Sequence, residues 1–331
     1  MGKHCPNFKL RQTRRLNFMK SAKSDEPKAK TLYTKTLTTE QADKLEAWLD
    51  RNLWIPAQVQ YAKFAYKDKL TNVVFYNSGK LVVQGKGTEN FVQFVLEAQI
   101  TGVAEMGYES VHHPEWFEAH AGIDESGKGD LFGPLVSACV VADGKAVQQW
   151  LDAGLKESKR VSSDSAALAM AKAIKSTKGV AIGVSYASME KYNALYVKFG
   201  RNLNRLLAWF HANAIRSALE KRSVPWGMLD QFTKQPLVQR QIKDLEGFEL
   251  KMQTKAEEDP VVAAASIIAR ATYIYSLRKL NEEAGLELKK GASAAVRQQA
   301  RQIVEKFGAQ GLKRFAKLHF KTAAEAISGG E

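Results

Sequence analysis

The fold of this chain is decided by the stretch Gly122-Ile-Asp-Glu-Ser-Gly-Lys-Gly-Asp-Leu-Phe-Gly-Pro-Leu135. A short apolar approach ends in the adjacent carboxylates Asp124 and Glu125, and glycines then lead into the apolar run Leu135 to Ala142. Acids, a lysine and bare backbone thus lie between two predicted strands. Such a concentration at a sheet edge is typical of a functional site.

The same stretch nearly matches the nucleotide-binding loop G-x-x-x-x-G-K-[ST]. However, Gly129 stands where a hydroxyl must reach Mg²⁺, and Asp124 and Glu125 would repel the phosphates. Carboxylate oxygens instead suit a divalent metal. We therefore favour a metal site and keep an NTPase only as a distant alternative.

Composition favours a globular protein with a polyanionic partner. The chain has 331 residues, of which 45% are hydrophobic, and a net charge of +14. Nucleic acid is the leading partner for such a charge, with a membrane surface or simple solubility as alternatives. No apolar run approaches the roughly eighteen residues of a membrane span, and we see no signal-peptide pattern. We expect a cytoplasmic protein that does not contact membranes.

The chain divides by pattern into four parts. Residues 1–30 carry nine lysines and arginines against two acids and predict a basic flexible arm. Residues 31–100 predict a strand, a helix, three antiparallel strands and a helix, with a capping box at Thr38 and a strand from Val59 to Tyr66. Residues 101–119 are a predicted linker. Residues 120–331 predict a sheet covered by helices, with Val180 to Ser185 as a central strand.

The opening stretch resembles the first motif of the type 2 ribonucleases H, in their ribonuclease HIII branch. Leu229-Asp-Gln-Phe232 and Lys255-Ala-Glu257, which precedes the run Val262 to Arg270, extend the resemblance. It implies an α/β fold, with a ribonuclease H-like mixed sheet flanked by helices. Residues 31–100 resemble one half of a TATA-binding-protein fold, a small α+β domain appended in this branch.

The resemblance implies four carboxylates that are both catalytic and metal-binding. In this sequence they are Asp124, Glu125, Asp230 and Glu257. The choice of Glu257 over its neighbours Glu258 and Asp259 rests on the Lys-Ala-Glu match alone. Acids at neighbouring strand ends raise each other's pKa unless cations compensate them. Two Mg²⁺ or Mn²⁺ ions about 4 Å apart would do so and activate a water. A single acid here is more often only a solvated strand end.

The resemblance also implies a substrate-binding set. The backbone of Gly127-Lys128-Gly129, with Ser126 before it, is expected to recognise 2′-hydroxyls, since glycine lets backbone approach a ribose. Ser158 and Lys159 are expected to contact phosphates, although Glu157 departs from the usual Asp. Ser293 belongs to this set as well, in the matching stretch Lys290-Gly-Ala-Ser293, before which Lys289 replaces the usual Pro. The stretch Ala316–Thr322 is similar to the C-terminal motif of the family.

The activity implied is endonucleolytic hydrolysis of the RNA strand of RNA–DNA hybrids by a monomer. One alternative is cleavage at single embedded ribonucleotides, as in ribonuclease HII. That branch carries a Tyr where Ala292 falls, and the absence of the ring favours cutting within ribonucleotide runs. Another alternative is a non-catalytic hybrid-binding protein in which the acids are only structural.

Overall fold

The computed structural model describes residues 31–104, 109–153, 155 and 163–328. These residues form two five-stranded sheets with separate hydrophobic cores, which confirms the predicted fold class. The predicted basic arm and the predicted phosphate-contacting residues Ser158 and Lys159 lie outside the described residues.

The N-terminal sheet is antiparallel, with the order β1–β5–β4–β3–β2. Its strands are β1 (Leu32–Thr36), β2 (Ile55–Pro56), β3 (Ala62–Lys67), β4 (Asn72–Tyr76) and β5 (Lys80–Gln84). Helix α1 (Thr39–Arg51) follows β1, and α2 (Thr88–Phe91) continues as a π-helix over Val92–Thr101. Leu45, Leu49 and Leu96 of these helices pack against alternate strand residues, so one face of the sheet is buried.

The capping box predicted at Thr38 is present, with Gln41 as its partner. Two other details of this unit differ from the sequence prediction. Strand β3, however, begins at Ala62 rather than Val59, because Tyr61 has a left-handed φ of 64° that interrupts the extended backbone. The short strand β2 was not predicted.

The second sheet has the order β10–β9–β6–β7–β8. Its strands are β6 (His120–Ser126), β7 (Val136–Ala142), β8 (Ala181–Ser185), β9 (Trp226–Asp230) and β10 (Glu249–Gln253). Strands β9 and β10 run parallel to β6, whereas β7 is antiparallel to it. The helices are α3 (Glu109–His112), α4 (Gly144–Asp152), α5 (Asp164–Ser176), α6 (Met189–Lys198), α7 (Leu203–Leu219), α8 (Leu237–Gln241), α9 (Pro260–Ala284), α10 (Ala294–Gly311) and α11 (Lys321–Ser328).

Strand β8 is an edge strand, so its predicted central position was wrong. Its apolar character reflects packing on α7, where Gly183 would place a Cβ 2.1 Å from the carbonyl oxygen of Ala214. The predicted linker holds α3 and a 3₁₀ helix over Pro114–Phe117.

Helices α7 and α9 cover opposite faces of the sheet. Along β7, Ala138 and Val140 belong to the core under α9, whereas Cys139 and Val141 belong to the core under α7. Burial on both faces explains the unbroken apolar run in this strand. By length and composition alone, helix α9 could cross a membrane. In the structure, however, 72% of its most apolar 18-residue stretch is buried inside the protein.

Candidate active site

Strand β6 brings its acids to the edge of the sheet where β9 also ends. The register pairs Ile123 with Leu229, so the next residues of the two parallel strands are Asp124 and Asp230. Gly122 allows α9 to lie directly on β6, because a Cβ there would meet the backbone of Val261 at 2.2 Å. Strand alternation then places Asp124 on the same face as Gly122, under α9.

Asp124 is the most perturbed acid of this edge. Burial and the charges of Glu125 and Asp230 together raise its pKa to about 7, although hydrogen bonds from Ser266 of α9 and from backbone act in the opposite direction. Two acids on one face thus share a poorly solvated space. A divalent cation would relieve this repulsion, since it supplies the opposite charge that the site needs.

Glu125 faces the other side of β6 and has cationic or polar partners there. Burial alone would raise its pKa, but the contact with His211 and the charge of Lys128 outweigh burial and lower the pKa to about 2. Nζ of Lys128 lies 3.2 Å from Oε1, and Nε2 of His211 lies 3.3 Å from Oε2. The imidazole of His211 is fully buried, and its Nδ1 is 2.6 Å from the hydroxyl of Ser137.

Sequence reasoning missed His211. It lies in the apolar run of α7 between Phe210 and Ala212, which the helical pattern assigns to the core. The one signal available was an imidazole on a buried helix face, because a buried polar ring needs hydrogen-bonding partners. Which partners it would find could not be read from spacing.

Asp230 anchors the segment that carries the fourth predicted acid. Its Oδ1 accepts a hydrogen bond of 3.1 Å from the backbone N–H of Ala256, at the start of a 3₁₀ helix over Ala256–Glu258. Glu257 follows and is half-buried, whereas Glu258 is exposed.

The third consecutive acid, Asp259, has a structural role. Its side chain caps α9 through the N–H of Val261 at 2.7 Å and lies 3.0 Å from Nε2 of the buried His120. His120 also stacks on Trp226, with ring centroids 4.3 Å apart. Asp259 is therefore committed to these contacts, which leaves Glu257 as the better placed of the two remaining acids, and its role as a ligand stays a prediction.

The donor set fits a hard divalent cation, since Asp124 and Asp230 lie at adjacent strand ends and offer only oxygen. Across the ranges that the structure describes, no three Asp, Glu, His or Cys side chains are gathered tightly enough to hold a metal ion among them. Glu125 faces His211 and Lys128, on the side of β6 opposite the shared face of Asp124 and Asp230. The four-ligand arrangement implied by the resemblance therefore remains a prediction.

The predicted substrate loop follows β6 directly. Gly127 has a φ of 83°, and a Cβ there would lie 2.2 Å from the carbonyl oxygen of Pro134, whereas a Cβ on Gly129 would meet nothing within 4 Å among the residues that the structure describes. Lys128 lies 5.5 Å above the ring of Phe232, and its side chain remains 38% exposed. Ser126, the last residue of β6, is half-buried. The open side of this loop at Gly129 is thus its accessible backbone.

The stretch Lys290-Gly-Ala-Ser293, which carries the predicted substrate residue Ser293, lies against the turn that follows this loop. The N–H of Leu131 donates to the carbonyl of Gly291 at 2.9 Å, and the N–H of Gly291 donates to Oδ1 of Asp130 at 2.5 Å. Ser293 is exposed at the N-cap position of α10 and makes no capping hydrogen bond through its side chain. The fold therefore brings together two motifs that are more than 150 residues apart in sequence.

Two protein-family models match the chain. Residues 121–323 match the family described as Ribonuclease HII, and residues 35–102 match a domain of unknown function, DUF3378. The boundaries of both matches fall close to those of the two sheets and their helices.

Curated relatives match almost the whole length. A ribonuclease HIII of Chlamydia pneumoniae is 35% identical over 297 residues, which is 89% of this chain and 97% of the relative. A ribonuclease HIII of Chlamydia trachomatis serovar D is 38% identical over 271 residues, 81% of this chain and 88% of the relative.

Solved structures give the same result. Bst-RNase HIII in complex with Mn²⁺ aligns with a TM-score of 0.62 and 26% identity, over 91% of this chain and 99% of that one. Aquifex aeolicus RNase H3 aligns with a TM-score of 0.52 and 26% identity, over 87% and 100%. The similarity therefore includes the N-terminal unit as well as the unit that carries the acids.

Proposed function

Because the chain belongs to the ribonuclease HIII family, we propose that its acidic sheet edge hydrolyses the RNA strand of RNA–DNA hybrids with two divalent ions, Mg²⁺ or Mn²⁺. The enzyme is a ribonuclease H that cuts endonucleolytically, and its products carry 5′-phosphate and 3′-hydroxyl ends. The observation that carries the proposal is the placement of Asp124 and Asp230 at adjacent ends of parallel strands, with the pKa of Asp124 raised to about 7.

Asp124, Glu125, Asp230 and Glu257 would hold the ions. When bound, the ions supply an activated water and charge stabilisation of the leaving oxygen. The protein's own part is to fix the acids: Ser266 donates to Asp124, His211 contacts Glu125, and the N–H of Ala256 donates to Asp230. Asp124, Glu125 and Asp230 are thereby each oriented by a different element: α9, α7 and the 3₁₀ segment before α9, respectively.

Substrate recognition falls to the loop beside the acids. The exposed backbone at Gly129 can approach a ribose closely, because glycine has no Cβ and no described side chain lies within 4 Å of where one would be. Lys128 is held beside Glu125 with part of its side chain in solvent, a position from which it reaches a phosphate. Recognition of 2′-hydroxyls by this backbone would distinguish the RNA strand from the DNA strand.

The N-terminal unit is proposed to bind the hybrid backbone. Its sheet carries lysines on strands and adjoining loops, namely Lys35, Lys63, Lys67, Lys69, Lys80 and Lys86. Together with the basic segment 1–30, they would supply phosphate contacts that carry no sequence information. We further propose that the enzyme acts as a monomer in the cytoplasm.

The closest alternative is cleavage confined to single embedded ribonucleotides. The exposed Ala292, beside the substrate loop, cannot stack on a sugar as an aromatic ring would. We therefore expect several cuts along a continuous RNA strand and weaker cutting of a duplex with one ribonucleotide.

The test is incubation of the protein with both end-labelled duplexes, each with Mg²⁺ or Mn²⁺, and with Asp124→Asn as the matched control. A ladder of cuts on the hybrid supports the proposal. Strong preference for the single ribonucleotide would instead assign the ribonuclease HII activity, and binding without cleavage of either duplex would leave only a hybrid-binding protein.

A further inference from the structure

Lys317 is a fully buried lysine in the segment after α10. Its Nζ donates to two backbone carbonyl oxygens, those of Asp130 at 2.7 Å and Gly133 at 2.5 Å. Burial lowers the pKa of Lys317 to about 7, although the nearby charge of Asp130 acts in the opposite direction. Lysine is almost never buried completely unless its ammonium group has partners. Here those partners are backbone atoms of the turn that follows the substrate loop.

The turn Asp130–Gly133 has a hydrogen-bond donor on every carbonyl. Besides the two bonds from Nζ, the backbone N–H of Lys317 donates to Leu131 at 2.9 Å, and the hydroxyl of Tyr273 donates to Phe132 at 3.1 Å. Three of the four carbonyls are thus bonded by one residue, Lys317. Loops normally satisfy such groups with water and stay mobile, so this turn is unusually fixed.

The same turn joins the two predicted substrate motifs. At one end the N–H of Asp130 approaches the carbonyl of Gly127 at 3.4 Å. At its side the carboxylate of Asp130 accepts the N–H of Gly291 at 2.5 Å, and Leu131 donates to the carbonyl of Gly291. A displacement of the turn would therefore move the loop Gly127–Gly129 and the stretch Gly291–Ser293 together.

We propose that Lys317 is a positioning residue for substrate recognition, which holds the turn Asp130–Gly133 so that both substrate motifs keep a fixed distance from the acids of β6. It acts through the backbone of the turn and does not touch the substrate. The inference rests on the proposed hydrolysis of RNA–DNA hybrids. It adds to the specificity machinery a residue that lies on neither of the two strands that carry the acids, β6 and β9.

The test replaces Lys317 by methionine, which keeps most of the length and apolar volume of the side chain but removes the N–H donors of Nζ. The matched control is Lys321→Met in the same segment, where the side chain is 91% exposed. For Lys317→Met we expect KM for an all-RNA/DNA hybrid to rise about tenfold with a smaller fall in kcat. Amide hydrogen exchange over residues 127–133 and at Gly291 should become faster, while Mn²⁺ affinity measured by calorimetry stays within about twofold. Lys321→Met should match the wild type in all three measurements.

Unchanged KM and unchanged exchange in a folded Lys317→Met protein would overturn the proposal. A loss of Mn²⁺ affinity in parallel with KM would overturn it as well, because the effect would then be a general collapse of the site. Should Lys317→Met fail to fold, Tyr273→Phe removes one donor from the same turn and decides the matter. For Tyr273→Phe we expect KM to rise about threefold and amide hydrogen exchange over residues 127–133 to become faster. No change in either measurement would contradict the inference. If the wild-type protein cuts no hybrid, the proposed function fails, while the exchange measurement still tests whether Lys317 fixes the turn.

Discussion

Alanine at Gly127 and at Gly129 should have opposite consequences, because the two glycines of one loop face different surroundings. At Gly127 the left-handed φ of 83° strains an alanine by about 1–2 kcal/mol. The added Cβ would also lie 2.2 Å from the carbonyl oxygen of Pro134 and 2.8 Å from the ring of Tyr273. Overpacking of this kind costs about 1–3 kcal/mol, for a total of roughly 2–5 kcal/mol.

Gly129 offers no such obstacle. It lies outside the left-handed region, and a Cβ there would meet no atom of the described residues within 4 Å. Gly129→Ala should therefore fold as well as the wild type, or gain about 0.4–1 kcal/mol from a less flexible unfolded chain. Its Cβ would instead occupy the space where we expect a ribose, and each hydrogen bond lost to a 2′-hydroxyl costs about 1–3 kcal/mol. This corresponds to a fall of roughly 5- to 150-fold in kcat/KM.

The assay pairs thermal unfolding with steady-state cleavage of a continuous RNA–DNA hybrid. Gly127→Ala should lower Tm by roughly 4–20 °C for a domain of this size, whereas Gly129→Ala should leave Tm unchanged or raise it by up to about 4 °C and lose activity alone. Full activity in Gly129→Ala would refute the expected approach of this backbone to the ribose. A lowered Tm in Gly129→Ala would refute the structural argument itself.

Three further predictions concern the acids and the charge. Asp124→Asn should abolish cleavage while hybrid affinity, followed by fluorescence anisotropy, stays nearly intact, since the change removes a metal ligand and a negative charge near phosphate; substantial activity in folded protein would contradict the site. Glu257→Gln should behave in the same way in the cleavage assay, and Glu258→Gln should not, whereas the reverse result would show that the fourth ligand is misassigned. Removal of residues 1–100 should weaken hybrid binding and flatten its dependence on salt, because fewer counterions are released; an unchanged slope would assign that unit to another partner.

The sequence predicted the site motifs and most elements because these depend on local patterns. The apolar run Leu135 to Ala142 indicated a strand inside the sheet, and β7 lies there with all of its residues buried. The order of strands in the sheet could not be predicted from local patterns, because β8 is nearly as apolar as a central strand although it lies at the edge. A covering helix buries the side chains of a strand as well as a neighbouring strand does. Composition alone therefore could not distinguish an edge strand from a central one.

Supporting contacts between distant segments could not be predicted either. His211 lies 86 positions after Glu125, and Lys317 lies 187 positions after Asp130. His211 stands in an apolar run of α7, Lys317 follows Phe315 and Ala316, and both residues are buried. What distinguishes them from ordinary core residues is the polar atom that each one reaches, and this depends on tertiary packing.

The adjacent acids Asp124 and Glu125 illustrate how that packing creates chemistry. Successive residues of a strand point to opposite faces, so no single helix can support both. The fold places α9 over one face, where Asp124 meets Ser266 and shares space with Asp230, and α7 over the other, where Glu125 meets His211. Opposite pKa shifts result, to about 7 for Asp124 and to about 2 for Glu125. Glu125 is therefore already compensated by protein groups, and the face that gains most from a divalent cation is the one shared by Asp124 and Asp230.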